Sequence, residues 1–521
     1  MRTLLALMLL ACAAPALAEP PAGLAARADA VRQAAGVPGM AIAIVENGRV
    51  TLARGFGVRR LGSPARVDAD TIFMTGSTGK AMTTAALATL IDAGKLGWND
   101  RVVDRLPGFQ MYDPWVTREM TVRDLLVHHS GLGLGAGDLL FVPRGKLSRS
   151  EIVRRLRFIR PATSFRSGYA YDNILYIVAG ALIEAVSGQR YEDYIRKHVF
   201  RPAGMLKSTA DPEHRFATAN RAYPHGRTGG AVRGLGEQAV LNERDQLGQA
   251  SAPAGLLAVS ANDMAKWLQL QLARGKLPNG GRLFSEAQSA EMWKPVTIEP
   301  VDPAPPELEG TQANFELYAL GWEVRDYAGA MIVWHAGGVF GFVTSVVLIP
   351  EKNVGFMVTI NSEDSDVRLG LMYELLDHYL GRPKQDWPAR FSAYKRDRLA
   401  ASASAVQAAA ATPARIGPSL PVARYARTYT DTWYGDVKVG TDEQGLTIDF
   451  TNTPGMTGRL SHWQYDSFVA RFADKGIEPA YMTFALDAEG KVERITMKPV
   501  SPTADFSFDY QDLDLRPAAV K

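Results

Sequence analysis

The stretch "FMTGSTGKAMTTAALATLIDAGK", Phe73–Lys95, sets Ser77 three residues ahead of Lys80 where an apolar helical pattern begins. Positions i and i+3 of a helix share a face, so the ammonium can reach the hydroxyl. A serine hydroxyl attacks well only when a base takes its proton. A lysine serves as that base when burial or a positive neighbour lowers its pKa. The helix that follows is apolar nearly all round, which marks a buried element. Its N-terminus would offer free backbone N–H groups to a developing oxyanion. The plain alternative is a helix start capped by serine. The spacing is also cheap: Ser392-Ala-Tyr-Lys395 repeats it beside an Ala-rich segment.

Two further stretches offer partners. In "FRSGYAYDNILYIVAGALIEAVSG", Tyr171-Asp172-Asn173 stands where a Gly/Ser loop meets an apolar helix. Asn173 reads as a helix cap or as an amide holding Lys80 and a substrate carbonyl. Tyr171 reads as a packed aromatic or as a second base, its proton affinity lowered by the Lys80 cation. In "VWHAGGVFG", His335, Gly337 and Gly338 end a strand pattern. The glycines allow close backbone approach to a ligand. His335 is either a satisfied structural residue or a group that orients the base pair.

Other chemistries lack their signs. There is no Gly-x-Ser-x-Gly elbow and no His-Glu-x-x-His. "GLGLGA", Gly131–Ala136, matches a loose dinucleotide fingerprint, but what precedes it looks helical and no helix follows, so it reads as a loop. The net charge of +3 over 521 residues gives no reason to expect nucleic acid or an anionic membrane as partner.

The chain opens with "MRTLLALMLLACAAPALAEP", in which Arg2, the Leu4–Leu10 run and Ala16-Leu17-Ala18 form a cleavable secretory signal. The sole cysteine, Cys12, lies inside it, so cleavage after Ala18 leaves neither disulfide nor thiol chemistry. Lipid attachment at Cys12 is the lesser alternative, because the apolar run before it is very short. The expected address is the bacterial periplasm or the exterior, with no membrane segment left after cleavage.

"GMAIAIVENGRVTLARGFGV" alternates apolar and polar residues around Asn47-Gly48, a hairpin signal. "TVRDLLVHH", "SEIVRRLRF", "ILYIVAGALIEAVSG" and "NDMAKWLQLQLARG" read as helices, and "AMIVWHAGG", "FVTSVVLIP" and "VGFMVTINS" as strands. The expectation is an α/β domain, an antiparallel sheet flanked by helices with a helical subdomain inserted, over residues 19–385. An Ala/Pro-rich linker, part helix and part extended, fills 386–420. Short alternating runs over 421–521 read as a small all-β barrel or sandwich.

Ser-x-x-Lys, Tyr-x-Asn and His-x-Gly in this order resemble the serine β-lactamase and penicillin-binding protein superfamily. The chain looks closest to its class C β-lactamase-related hydrolases, which include D-amino-acid-specific peptidases, D,D-carboxypeptidases and esterases. "LLVHHSGL", "RPAGM" and "PAGLLAVSANDMAKWL" share the likeness, which runs from about Glu19 to Gly381. The C-terminal part is similar to a lipocalin-like accessory domain of some members. The resemblance implies that Ser77 forms an acyl-enzyme, that Lys80 and Tyr171 share acid–base work and that Asn173 positions. It implies an oxyanion hole from the Ser77 and Gly338 N–H groups, with Gly337 beside it, and no metal or organic cofactor.

One departure is specific. His335-Ala336-Gly337 stands where β-lactamases carry Lys-Thr-Gly. A cation and a hydroxyl that bind a β-lactam carboxylate are thereby lost, each worth about 1.5–3 kcal/mol when charge-assisted. Efficient β-lactamase activity is therefore not expected. A His335 that titrates near neutrality would make activity pH-dependent between about 5 and 8. The expected function is a secreted serine hydrolase of a small peptide, amide or ester, with D-residue peptides as the substrate guess. An esterase of the same mechanism and a catalytically silent peptidoglycan-binding or partner-binding homologue are the alternatives. Assembly into oligomers is compatible with the sequence.

Overall fold

A computed structural model describes residues 19–244, 247–411 and 416–519. The expected signal and Cys12 lie outside the described residues. The chain forms an eight-stranded antiparallel sheet covered by helices, followed by an eight-stranded, nearly closed antiparallel barrel.

Helix α1 (Leu24–Ala34) leads into the hairpin β1 (Gly39–Glu46) and β2 (Arg49–Gly57). Asn47 and Gly48 both have positive φ, 51° and 76°, as a type I′ turn demands. Every residue of β1 is buried, and β2 runs from exposed at its start to buried at Phe56 and Gly57, so burial alternates on neither strand. The physical reason is that helices cover both faces of β1. Ala41, Ala43 and Val45 face one core, while Met40, Ile42 and Ile44 face the other.

Between this hairpin and the remaining strands lie α2 (Lys80–Asp92), α3 (Ile174–Ser187) and α4 (Ala261–Leu272). The sheet continues with β3 (Thr297–Glu299), β4 (Glu316–Tyr318), β5 (Glu323–Tyr327), β6 (Ala330–Val339), β7 (Phe342–Ile349) and β8 (Val354–Ile360). The strand order is β2-β1-β8-β7-β6-β5-β4-β3, so strands far apart in sequence are joined where β1 pairs with β8. Helix α4 packs against β1, β2 and β8. "TVRDLLVHH" forms only a short 3₁₀ turn at Asp124–Leu126 rather than a helix. Thr121 and Asp124 make the bonds of a helix start, but the turn goes no further: the Leu126 and Val127 carbonyls accept from the Tyr176 and Thr297 hydroxyls at 2.8 and 2.7 Å, and His128 has φ of 56°.

Helix α5 (Ser365–Tyr379) covers the second face of the sheet. The Ala-rich segment is one 25-residue helix, α6 (Trp387–Ala411). Alanine is the strongest helix former. Its first half carries Trp387 and Phe391 into the core beside Tyr373 of α5, and the Trp387 Nε1–H donates to Asp377 at 2.6 Å. That half packs against α5 and the sheet domain instead of running free as a connector.

The barrel consists of β9 (Arg427–Asp431), β10 (Gly435–Asp442), β11 (Gly445–Phe450), β12 (Thr457–Gln464), β13 (Ser467–Phe472), β14 (Ala480–Leu486), β15 (Val492–Pro499) and β16 (Arg516–Pro517). An Ile495–Leu515 bridge draws its two ends together. Eight strands leave a bore that side chains can fill. Phe450, Phe468, Met482, Phe484 and Ile495 are all buried there.

Candidate active site

The strand pair Phe73–Met74 with Ala258–Val259 anchors the segment before Ser77, and the Thr75 N–H donates to Leu257 at 2.9 Å. Ser77 sits in a 3₁₀ turn, Gly76–Gly79, that feeds directly into α2. The helix cap is Gly79, with no side-chain cap bond, so Ser77 is not capping the helix. The turn abuts the end of β6. Gly76 has φ of 56°, and a Cβ there would lie 2.6 Å from the Gly338 nitrogen. Gly337 faces the Thr75 carbonyl so closely that a Cβ would come within 1.9 Å. Gly337 is therefore a packing position turned away from the cleft, whereas Gly338 has open space and faces it.

Lys80 is fully buried. Its Nζ is 2.9 Å from Ser77 Oγ, 2.7 Å from Asn173 Oδ1 and 2.8 Å from the Ala254 carbonyl. Burial pushes the ammonium down to about 7, while Asp138 and Asp172 oppose the shift. Two of the three partners are carbonyl oxygens that can only accept. A neutral Lys80 keeps its two N–H bonds on those carbonyls and turns its lone pair to the Ser77 hydroxyl. This arrangement can accept the serine proton without rearranging any neighbour.

Asn173 stands at the N-cap of α3 but makes no side-chain cap bond. Its amide nitrogen donates to Asp138 Oδ2 at 2.8 Å, which sets its carbonyl toward Lys80. Tyr171 lies beside this group, with Lys80 Nζ 4.8 Å from the ring centre. The Tyr171 hydroxyl is buried and has no hydrogen-bond partner among the described residues. Burial drives its pKa well above 10; the Ser77 hydroxyl nearby, short of hydrogen-bond geometry, pulls weakly the other way. The expectation of a phenol made more acidic by Lys80 is thus corrected: the cation lies over the ring, and desolvation dominates. Tyr171 is therefore protonated in this site.

His335 is also buried, and its pKa is pushed down to about 3 by burial and by Lys80. Its Nδ1–H donates to the Ala336 carbonyl at 2.6 Å, so Nε2 accepts from the Tyr318 hydroxyl at 2.8 Å. The nearest carboxyl, Glu323, stands 4.0 Å away and is itself pushed well up by burial and by Glu299. His335 therefore stays neutral across the physiological range, and the expected titration near neutrality does not arise.

Ser77, Tyr171, Asn173, His335 and Gly338 line one cavity of about 430 Å³. Phe506 and Ser507, from the chain segment that follows β15, complete its wall. Sequence reasoning missed four groups: His128, whose ring centre lies 4.1 Å from that of Tyr171, Asp138, Tyr318 and Ser507. His128 lies in the family-like stretch "LLVHHSGL", which gave it no role; the other three belong to no motif. Asp138 follows the glycine-rich loop, and only three-dimensional packing gives it a partner.

The family model described as beta-lactamase matches residues 24–380, and one described as a domain of unknown function, DUF3471, matches 411–517. An unguisins hydrolase from Aspergillus campestris is 30% identical, covering 78% of this chain and 75% of that protein. Penicillin-binding protein 4 of Amycolatopsis lactamdurans is 29% identical, covering 63% of this chain and 82% of the relative. The octameric penicillin-binding protein homologue from Pyrococcus abyssi shares the fold, with a TM-score of 0.59 at 20% identity, covering 91% of this chain and 97% of the homologue. With its sheet, its buried lysine beside a serine and a family match across most of its length, the chain belongs to the β-lactamase family and is a serine hydrolase of the β-lactamase-related type.

Proposed function

We propose that the protein hydrolyses an amide, peptide or ester through an acyl-enzyme on Ser77. The single observation that carries this reading is the buried Lys80 Nζ, 2.9 Å from Ser77 Oγ and otherwise held by neutral acceptors. Neutral Lys80 takes the Ser77 proton as Oγ bonds to the substrate carbonyl carbon. The oxyanion forms against the Ser77 and Gly338 N–H groups. Tyr171 passes a proton to the leaving group and is reprotonated from Lys80. Water then attacks the acyl carbon, its proton goes to the same pair, and Ser77 leaves with its hydroxyl restored.

Peptides containing D-residues are the substrate class we favour, on family analogy. An extended substrate fits, because a second cavity of about 530 Å³ shares Gly338, Val339, Phe340, Asp505 and Phe506 with the first. Efficient β-lactam turnover does not fit: neutral His335 and Ala336 supply neither the cation nor the hydroxyl for a β-lactam carboxylate. Turnover of a chromogenic cephalosporin is expected to be at least about a hundredfold below that of a dedicated β-lactamase, as the loss of two charge-assisted bonds requires. Rates equal to such an enzyme would refute the assignment of His335. The signal-like N-terminus supports export to the periplasm or beyond.

The main test is labelling with a fluorophosphonate and location of the adduct by mass spectrometry. The adduct is expected on Ser77 and absent from Ser77→Ala. A folded, unlabelled wild-type protein would refute the hydrolase mechanism.

A further inference from the structure

We infer that the C-terminal domain supplies a positioning residue to the active site: Ser507 holds Asp138 so that Asn173 presents its carbonyl to Lys80. This rests on the acyl-enzyme reading above and assigns the C-terminal domain a part in it.

The Ser507 hydroxyl donates to Asp138 Oδ2 at 2.8 Å, across 369 residues of chain. The Asn173 amide donates to that same oxygen at 2.8 Å. Asn173 Oδ1 then accepts from Lys80, which reaches Ser77. A continuous path of four hydrogen bonds thus runs from the C-terminal domain to the serine. Ser507 is buried, and Asp505 accepts from its N–H at 2.9 Å, which fixes the local turn.

The neighbouring residues grip the loop that carries Asp138. The Asp509 carboxylate accepts from the Gly137 N–H at 2.7 Å and from the Leu139 N–H at 3.0 Å, on either side of Asp138. Phe506 closes over Gly135, where a Cβ would lie 2.7 Å from the Phe506 carbonyl. The Gly135 N–H donates to the Tyr171 carbonyl at 2.9 Å. The loop is therefore held between the Tyr171–Asn173 segment on one side and residues 505–509 on the other. A surface contact made only for docking would have no reason to end on a buried carboxylate shared with Asn173.

The charged groups around this path set the sign of the test. Asp138 is faced by Lys80, Asp505 and Asp509. Lys80 is faced by Asp138, Asp172, His128 and His335, with the Tyr171 ring beneath it. Asp138 is pushed up to about 7 by burial, and the bonds from Asn173 and Ser507 pull it back down. Without the Ser507 hydroxyl, Asp138 holds its proton to higher pH. Its charge then supports the Lys80 cation less, and Lys80 loses its proton at lower pH.

The experiment is the pH dependence of Ser77 phosphonylation by a fluorophosphonate in the full chain, which needs no knowledge of the natural substrate. In Ser507→Ala the plateau rate is expected to fall about tenfold, the loss of one hydrogen bond to a charged group. The acid limb should also move to lower pH. Ser507→Thr, which keeps a hydroxyl, should restore both. A labelled wild type with an unchanged rate and pH profile in Ser507→Ala overturns the positioning role alone. A folded but unlabelled wild type overturns the hydrolase reading and this inference together.

Discussion

Two helical segments of this chain carry a serine three residues before a lysine, and their surroundings differ in every physical respect. Lys80 is buried against a hydroxyl and two carbonyl oxygens, and burial lowers its pKa. Lys395, on α6, is half-buried and bonded to Asp364 at 2.6 Å and Asp366 at 2.8 Å, which raise its pKa. Ser392 is exposed to solvent. The same spacing therefore yields a base in one place and a permanent cation in the other. Helical geometry brings hydroxyl and amine to one face in both cases. What separates them is whether the lysine meets carboxylates directly or only through an intervening amide, since Asn173 stands between Lys80 and Asp138.

The largest test of that contrast is to remove each serine. Ser77→Ala is expected to lower kcat/KM on an activated ester by about 10⁴-fold or more, the scale for loss of a nucleophile. Ser392→Ala should change it less than twofold by the same measurement, and a large loss there would break the comparison.

A second test makes one site resemble the other. Asn173→Asp places a carboxylate against Lys80, as Asp364 stands against Lys395. A direct opposite charge raises a lysine pKa by about one unit or more. The wild-type acid limb is expected near 7, because Lys80 must be neutral to accept a proton and becomes protonated below that value. In Asn173→Asp the limb should move to higher pH, with about a tenfold loss of rate at pH 7. A limb that stays in place would show that Lys80 is not the group being titrated. The smallest effect is structural. Lys395→Ala should leave the acid limb of the pH profile in place and lower stability by about 1 kcal/mol in urea unfolding, the value of a partly exposed ion pair.

Much of the architecture is legible in local patterns. The Asn47-Gly48 hairpin, the strands around His335 and the apolar helices after Ser77 and Asn173 all follow from turn chemistry and periodicity. The "TVRDLLVHH" segment is not a helix because the Leu126 and Val127 carbonyls are taken by the distant Tyr176 and Thr297 hydroxyls, partners that periodicity does not register. The lowered proton affinity of Lys80 follows from the apolar helix it starts, but those of Tyr171 and His335 were beyond reach. Tyr171 was expected to be acidified by Lys80 and His335 to titrate near neutrality. Both expectations treat a neighbouring charge as the leading influence, whereas in a fully enclosed site desolvation exceeds it.

By itself the sequence determined which chemistry is available: a serine and a lysine one turn apart, a tyrosine and an asparagine at a helix start, and a strand ending in His335-Ala336-Gly337-Gly338. Those are local matters, set by covalent order and helical or strand periodicity. Tertiary structure alone decided that Tyr171 and His335 remain neutral and that Ser507 reaches Asp138. Each of these depends on burial and on partners dozens to hundreds of residues away, and no short-range pattern encodes the dielectric that a side chain will meet when the chain has folded.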